Sequence, residues 1–471
     1  MSCKRGAALR LTIVLAAASV MCSSVAVAVE WPWLRKTESP PVYPEVTVAA
    51  EWLSANLRSS SVSVLDARPT EAYESGHIPG AVSVPAGSLG LERVGSGEIG
   101  SVLGDLGLTG RGRVVCYGDA TLDENAALLF WALDIAGAEA PAVLEGGLDA
   151  WSALGYGIDS GEESLPPVTW TGAPRPRDFA SAAYVALVFG VDGHEIVDTR
   201  GWEQWSGEAP ADGASGRAGH VPHALPYDFS EFQRSDGTLL PPEETRQIFS
   251  RFGPRPSNPV DLDHEFIVHG AGGPDGALGF FLLRRAGVER LRYFPAGWGE
   301  WARDVSLPVV RIVGAEELVQ RVASSRRWLR PDAPPEGFLL FDVRHWGDYA
   351  SGHIPGSVGL PSTWFADSLD VYVDRHWPEI DRASTPVVTY CYGSNCIRSR
   401  NTATEAARGG FVRVERFYEG VSGWRLAGGD LLRDERRLEL MRKERERMKR
   451  AAEARRAEEA AAESAAGASG S

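Results

Sequence analysis

The chain has 471 residues, enough for about three domains at ~150 residues each. Its formal net charge of -15 argues against nucleic acid as a partner and does not favour an anionic membrane surface, so an anionic ligand needs a local positive site. Five cysteines are too few for a disulfide framework in a chain of this length.

The N-terminus reads as a targeting segment. Lys4, Arg5 and Arg10 form a basic region, Leu11 to Val20 an apolar run, and Ala26-Val27-Ala28 a small-x-small cleavage site. Cys22 is a passenger in that segment, because Met21 before it is bulkier than a lipoprotein site accommodates. No later stretch is apolar for long enough to span a bilayer. The expected product is exported, periplasmic or secreted, with cleavage near Ala28. It retains Cys116, Cys391 and Cys396, an odd number that leaves at least one thiol unpaired or held for chemistry.

Beyond the targeting segment one unit is written three times. Its first marker is an apolar strand ending in Asp-x-Arg, then an aromatic, then Gly-His, a β-branched residue and Pro. It reads Leu65-Asp66-Ala67-Arg68 with Gly76-His77-Ile78-Pro79-Gly80, Val197-Asp198-Thr199-Arg200 with Gly219-His220-Val221-Pro222, and Phe341-Asp342-Val343-Arg344 with Gly352-His353-Ile354-Pro355-Gly356. The second copy carries a Gly/Ala/Ser-rich insertion between the two halves of the marker. The second marker is a strand, a glycine-bearing turn and a Trp: Leu144-Glu145-Gly146-Gly147 with Trp151, Phe294-Pro295-Ala296-Gly297 with Trp301, and Tyr418-Glu419-Gly420 with Trp424.

Between the markers apolar runs alternate with helical patterns. Val114 to Tyr117 is a buried strand followed by an amphipathic helix over Glu124 to Ile135; Phe266 to Val268 precedes a helix over Gly279 to Arg285; Val387 to Tyr390 precedes one over Ser399 to Arg408. This alternation predicts an α/β fold: three tandem units, each a parallel β-sheet flanked by helices. The expected boundaries are 1–28 for the signal peptide, then 45–160, 176–305 and 309–430 for the units, with linkers near Ser160 to Asp178 and Val305 to Val309. From Leu431 to 471 the chain turns to Arg, Glu and Ala and reads as a solvated helix fading into a Gly/Ser tail. Its charge pairs are Asp434 with Arg437, Glu439 with Lys443 and Glu446 with Arg450.

The ordered markers resemble those of the rhodanese family over about Val46 to Leu431. The resemblance implies a catalytic cysteine at the C-terminal end of the central strand, opening a short loop that feeds a helix and carrying sulfane sulfur as a persulfide. Backbone N–H groups and a helix N-terminus at that place favour negative charge, which makes the thiolate available and stabilises the leaving anion.

In the third copy that position is Cys391. The loop continues Tyr392-Gly393-Ser394-Asn395-Cys396, with Arg398 two residues later, and these are the expected substrate-binding residues. Many rhodanese loops place an Arg where Cys396 stands. Cys396 forms a disulfide with Cys391, resolves the persulfide, or packs; the sequence leaves all three open. In the second copy Gly270 takes the cysteine position beside His269, a strand-end histidine. In the first, Tyr117 matches Tyr390, which puts Gly118 there and Cys116 in the core; an alignment of Cys116-Tyr117-Gly118 with Cys391-Tyr392-Gly393 competes with it. Asp342, Arg344 and His353 are expected to be structural, fixing the turn after their strand with Asp348 as a further partner, as are Asp66, Arg68, His77, Asp198, Arg200 and His220.

The implied function is a periplasmic sulfurtransferase that draws on thiosulfate or a persulfide and delivers to a thiol or cyanide-like acceptor, with no metal and no cofactor. The alternatives are a thiol-redox protein using Cys391 and Cys396, and a non-catalytic scaffold that docks a protein through domains 1 and 2 or the C-terminal helix. A phosphatase or arsenate reductase is disfavoured, because Arg398 lies one residue beyond the Cys-x5-Arg spacing.

Overall fold

A computed structural model of the chain describes residues 46–447 except 86, 88, 89, 91–95, 210–215, 236, 237, 252–260, 326–336, 395, 444 and 445. The expected signal peptide with Cys22, the loop residue Asn395, Arg450 and the Gly/Ser tail lie outside the described residues.

The first repeat contributes β1 (Thr47–Val48), β2 (Val62–Asp66), β3 (Ala81–Ser83), β4 (Arg113–Tyr117) and β5 (Ala140–Leu144). The second contributes β6 (His194–Asp198), β7 (Leu225–Pro226), β8 (Glu265–His269) and β9 (Leu291–Tyr293). The third contributes β10 (Val309–Val313), β11 (Leu339–Asp342), β12 (Val358–Gly359), β13 (Val387–Tyr390) and β14 (Arg413–Phe417). The sheet orders are β1-β5-β4-β2-β3, β7-β6-β8-β9 and β10-β14-β13-β11-β12. All pairings within the sheets are parallel. The architecture is the α/β arrangement expected from the alternation, with helices flanking parallel strands. Among the described residues the second sheet has four strands, and an isolated parallel bridge between Phe179 and Tyr293 stands where the other two have an outer strand.

The central strands β4, β8 and β13 are buried on both faces, which is why they read as continuous apolar runs rather than alternating ones. The helix Glu124–Ile135 departs from the amphipathic reading. Residues Ala126 to Ile135 are all buried, because one side packs on β4 and β5 and another on the helix Asp275–Arg285 of the second repeat. Phe130 meets Phe281 edge to face at 5.2 Å, and Trp131 meets Tyr293 at the same distance. A helix apolar all round needs burial all round. Its one buried acid, Asp134, pairs with Arg175 at 2.5 Å and Arg284 at 3.4 Å.

The segment Ser160 to Asp178 is more than a linker: it straps across the first repeat. The Trp170 indole N–H donates to the Ala136 carbonyl, the Val168 amide to Gly104 and the Thr171 amide to Thr109. The third repeat joins the second through the helix Ile397–Arg408. Arg400 donates to the His223 carbonyl at 2.7 Å and Arg408 to that of Phe189 at 3.0 Å.

The C-terminal helix begins against the third repeat rather than free in solvent. The Asp434 carboxylate accepts from the Arg437 backbone N–H at 2.9 Å, so it caps the helix instead of pairing with the guanidinium. Arg437 lies 3.9 Å over the Trp346 ring. Glu439 and Lys443 make the expected pair at 3.3 Å. Among the described residues no helix is long and apolar enough to cross a membrane.

Candidate active site

The two sequence markers meet physically. In each repeat the Asp-x-Arg aspartate pairs across the sheet with the last residue of the central strand: Asp66 with Tyr117, Asp198 with His269 and Asp342 with Tyr390. This register makes Gly118, Gly270 and Cys391 equivalent, each the first residue beyond its strand. It settles the competing alignment, and Cys116 is a strand residue. Cys116 is fully buried, and that burial pushes its thiol far above the ordinary cysteine value.

The glycine of the second marker explains itself at the same place. Gly147, Gly297 and Gly420 have φ of +55°, +51° and +56°. A Cβ on any of them would come within 2.5 to 2.6 Å of the carbonyl oxygen of Gly118, Gly270 or Cys391. Only glycine permits both that conformation and that approach. The Trp four residues later holds the chain leaving the unit: Trp151, Trp301 and Trp424 donate to the carbonyls of Gly157, Pro308 and Asp430.

The remaining repeated residues form one scaffold, copied three times. Arg68, Arg200 and Arg344 pair with Asp66, Asp198 and Asp342 at 2.6, 2.7 and 2.6 Å. They also donate to the carbonyls of Gly76, Gly219 and Gly352. His77, His220 and His353 stack on Tyr73, Trp205 and Tyr349, each with ring centroids 3.9 Å apart, and each places Nδ1 on the carbonyl of that aromatic residue. The Asp348 carboxylate accepts from the Tyr392 hydroxyl at 2.6 Å and acts on Arg344 through its charge.

What differs is the loop. In the first two repeats a Cβ on Gly118 or Gly270 would overlap the carboxylate of Asp123 or Asp275. Asp123 caps the helix Glu124–Ile135 by accepting from the Ala126 N–H, and Asp275 accepts from the backbone N–H groups of Ala271 and Gly272. Both aspartates stand five residues beyond their glycine. Five residues beyond Cys391 stands Cys396, the N-cap of the helix Ile397–Arg408, and it is bonded to Cys391 as a disulfide with Cα atoms 6.2 Å apart. The same fold-back delivers a carboxylate twice and a sulfur once.

Cys391 is 1% exposed, whereas Cys396 is half-buried and lines a cavity of about 640 Å³ with Tyr392, Gly393, Ser394, Arg398, Glu419, Ser422, Gly423 and Leu426. Arg398 is exposed, 6.0 Å from the Tyr392 ring centroid, and supplies a cation at the rim. Burial, then the Asp348 carboxylate, push the Tyr392 phenol above its ordinary value, so it is a neutral donor. Two residues have no counterpart in the sequence-level site. Glu419 joins the loop to the helix Ala315–Ser324 by accepting from the Ala315 N–H at 2.8 Å. Arg416, on β14, donates to the Cys396 carbonyl at 3.3 Å and to the Ser399 hydroxyl at 3.1 Å; burial, then Arg400, lower its pKa to about 10. The strand reads Arg413-Val414-Glu415-Arg416-Phe417, with three charged residues, so nothing in the sequence singled out Arg416. Among the described residues no cluster of His, Cys, Asp and Glu is arranged to hold a metal.

Fold and loop define an α/β protein of three repeated parallel-sheet units, one of which places a cysteine directly after its central strand. The rhodanese-like domain family matches residues 49–154, 182–304 and 326–427, and the chain belongs to that family. A probable 3-mercaptopyruvate sulfurtransferase of Pseudomonas aeruginosa is 31% identical over 283 residues, covering 56% of this chain and 96% of that one. The 3-mercaptopyruvate sulfurtransferase of Escherichia coli K12 is 25% identical over 281 residues, covering 56% and 96%. A solved structure of EanB in complex with ergothioneine superposes with a TM-score of 0.50 at 23% identity, covering 56% of this chain and 69% of that one, a likeness of fold alone.

Proposed function

We propose that the chain is an exported sulfurtransferase of three units, 45–160, 176–305 and 309–430, whose chemistry belongs to the third. Cys391 takes sulfane sulfur from thiosulfate or a persulfide. Arg398 and the loop from Tyr392 to Cys396 receive the anionic donor, and a thiol or cyanide-like acceptor removes the sulfur. Domains 1 and 2 act as scaffold, because their equivalent loops hold a carboxylate where a nucleophile would stand. The sulfurtransferase names of the relatives support the reaction class, and the basic-apolar N-terminus supports periplasmic or secreted location.

The observation that carries this reading is the place of Cys391. Of three homologous loop starts it is the one with a thiol, and its loop opens on a cavity with a cation at the rim. A thiolate there can attack a sulfane sulfur, with sulfite as leaving group. The test is to mix reduced protein, freed of reductant, with thiosulfate and measure sulfite. Wild type releases sulfite in proportion to chain; Cys391→Ser releases none. Equal release by the variant overturns the reading. The Cys391–Cys396 bond favours a second reading, a thiol-redox protein. That reading expects cycling of the pair without any sulfite.

A further inference from the structure

We propose that Cys396 is the internal reductant of the Cys391 persulfide, so that the third repeat reduces the sulfane sulfur and releases it as hydrosulfide. This rests on Cys391 being the sulfur-carrying residue.

The warrant is the fold-back common to the three loops. In the first two repeats the side chain five residues on occupies the space into which a side chain at the loop start would project. The third repeat puts a thiol in that place, and its sulfur reaches bonding distance of Cys391 Sγ. The backbone of Cys396 is held there from both sides: its N–H donates to the Gly393 carbonyl at 3.0 Å, and its carbonyl accepts from Arg416. Proximity of this kind turns a bimolecular attack into an intramolecular one.

The steps balance. The Cys391 thiolate attacks the outer sulfur of thiosulfate; the Cys391–S bond forms, the S–S bond of thiosulfate breaks, and sulfite leaves with the electron pair. Cys396, its proton passing to the departing sulfur, then attacks Cys391 Sγ. The Cys391–Cys396 bond forms, the persulfide bond breaks, and hydrosulfide leaves. The two cysteines lose two electrons and the sulfane sulfur gains them. An external dithiol restores the site. Its thiolate attacks Cys396, the sulfur that lines the cavity, and the buried Cys391 departs as thiolate; the second thiol of the reductant then frees Cys396. The sum is thiosulfate plus dithiol giving sulfite, hydrosulfide and a disulfide. Tyr392 and Leu426, 41% and 89% exposed, offer the reductant an apolar edge beside Cys396.

The experiment is a single turnover without oxygen, using full-length reduced chain freed of reductant and one equivalent of thiosulfate, read by sulfite, sulfide and intact mass. Wild type releases sulfite and sulfide together and ends lighter by two hydrogen atoms. Cys396→Ser releases sulfite, ends heavier by one sulfur atom and yields at least about tenfold less sulfide until dithiothreitol is added. Serine also caps a helix, and sulfur uptake itself reports that the variant is folded. Wild type that keeps the added sulfur and releases no sulfide overturns the proposal while leaving sulfur transfer at Cys391 intact. Absence of sulfite from both proteins overturns the Cys391 reading beneath it. Glutathione added to the oxidised chain is expected on Cys396 by peptide mapping; an adduct on Cys391 overturns the stated order of reduction.

Discussion

Asp275 and Cys396 stand at the same step of their loops, five residues beyond Gly270 and Cys391, and both turn their side chains back onto that loop start. The second repeat therefore differs from the third by more than the absence of a thiol. A carboxylate fills the volume and supplies the negative charge that the N–H groups of Ala271 and Gly272 favour.

A thiol cannot simply be introduced into that loop. Gly270→Cys is expected to destabilise the chain by about 1–3 kcal/mol, because its Cβ displaces the Asp275 carboxylate from the backbone donors. Asp275→Ala added to Gly270→Cys should cost less than the two single changes summed. Denaturant unfolding of the four proteins checks this, and strict additivity contradicts it.

The Tyr390 hydroxyl lies 2.9 Å from Asp342 Oδ2, 3.0 Å from the Ile354 amide and 2.9 Å from the Ser357 hydroxyl, all buried. Tyr390→Phe leaves those groups without their common partner and should cost about 1–3 kcal/mol of stability. It should also loosen the strand end that presents Cys391. A thermal midpoint equal to that of wild type would show that the network contributes nothing.

Cys116 has no access to solvent and a thiol pushed upward by burial. Iodoacetamide should leave it unmodified in the native chain and label it fully after unfolding. Cys116→Ser should lower stability by about 1–3 kcal/mol, through an apolar site asked to hold a hydroxyl, and leave sulfite release unchanged. Labelling of Cys116 in native protein would contradict its place in β4.

His220 is buried against Trp205, and burial lowers its pKa from 6.5 to about 3. The unfolded chain takes up this proton as pH falls below 6.5 and the folded chain does not until near 3, so stability is complete above 6.5 and is lost as pH falls toward 3. By about pH 5 this one group should have cost roughly 2 kcal/mol. His220→Gln should flatten that part of the stability profile, measured by denaturant titration across the range; an unchanged slope would exclude His220 as its source.

The sequence by itself determined the threefold repeat, the α/β alternation, the central strands and the positions of Cys391, Cys396 and Arg398. Each is written in a short stretch of chain: an apolar run bounded by turn residues, or a motif repeated in order. The burial of Glu124–Ile135, the strap over the first repeat, the grip of Arg416 on Cys396 and the choice of Gly118 over Cys116 as the counterpart of Cys391 were decided by tertiary structure. Those depend on which segments, distant in the chain, lie side by side. The register of Tyr117 on Asp66 and of Tyr390 on Asp342 is a cross-sheet fact. The return of the fifth loop residue onto the first depends on a helix N-terminus meeting a strand end, and only that meeting places two sulfur atoms together.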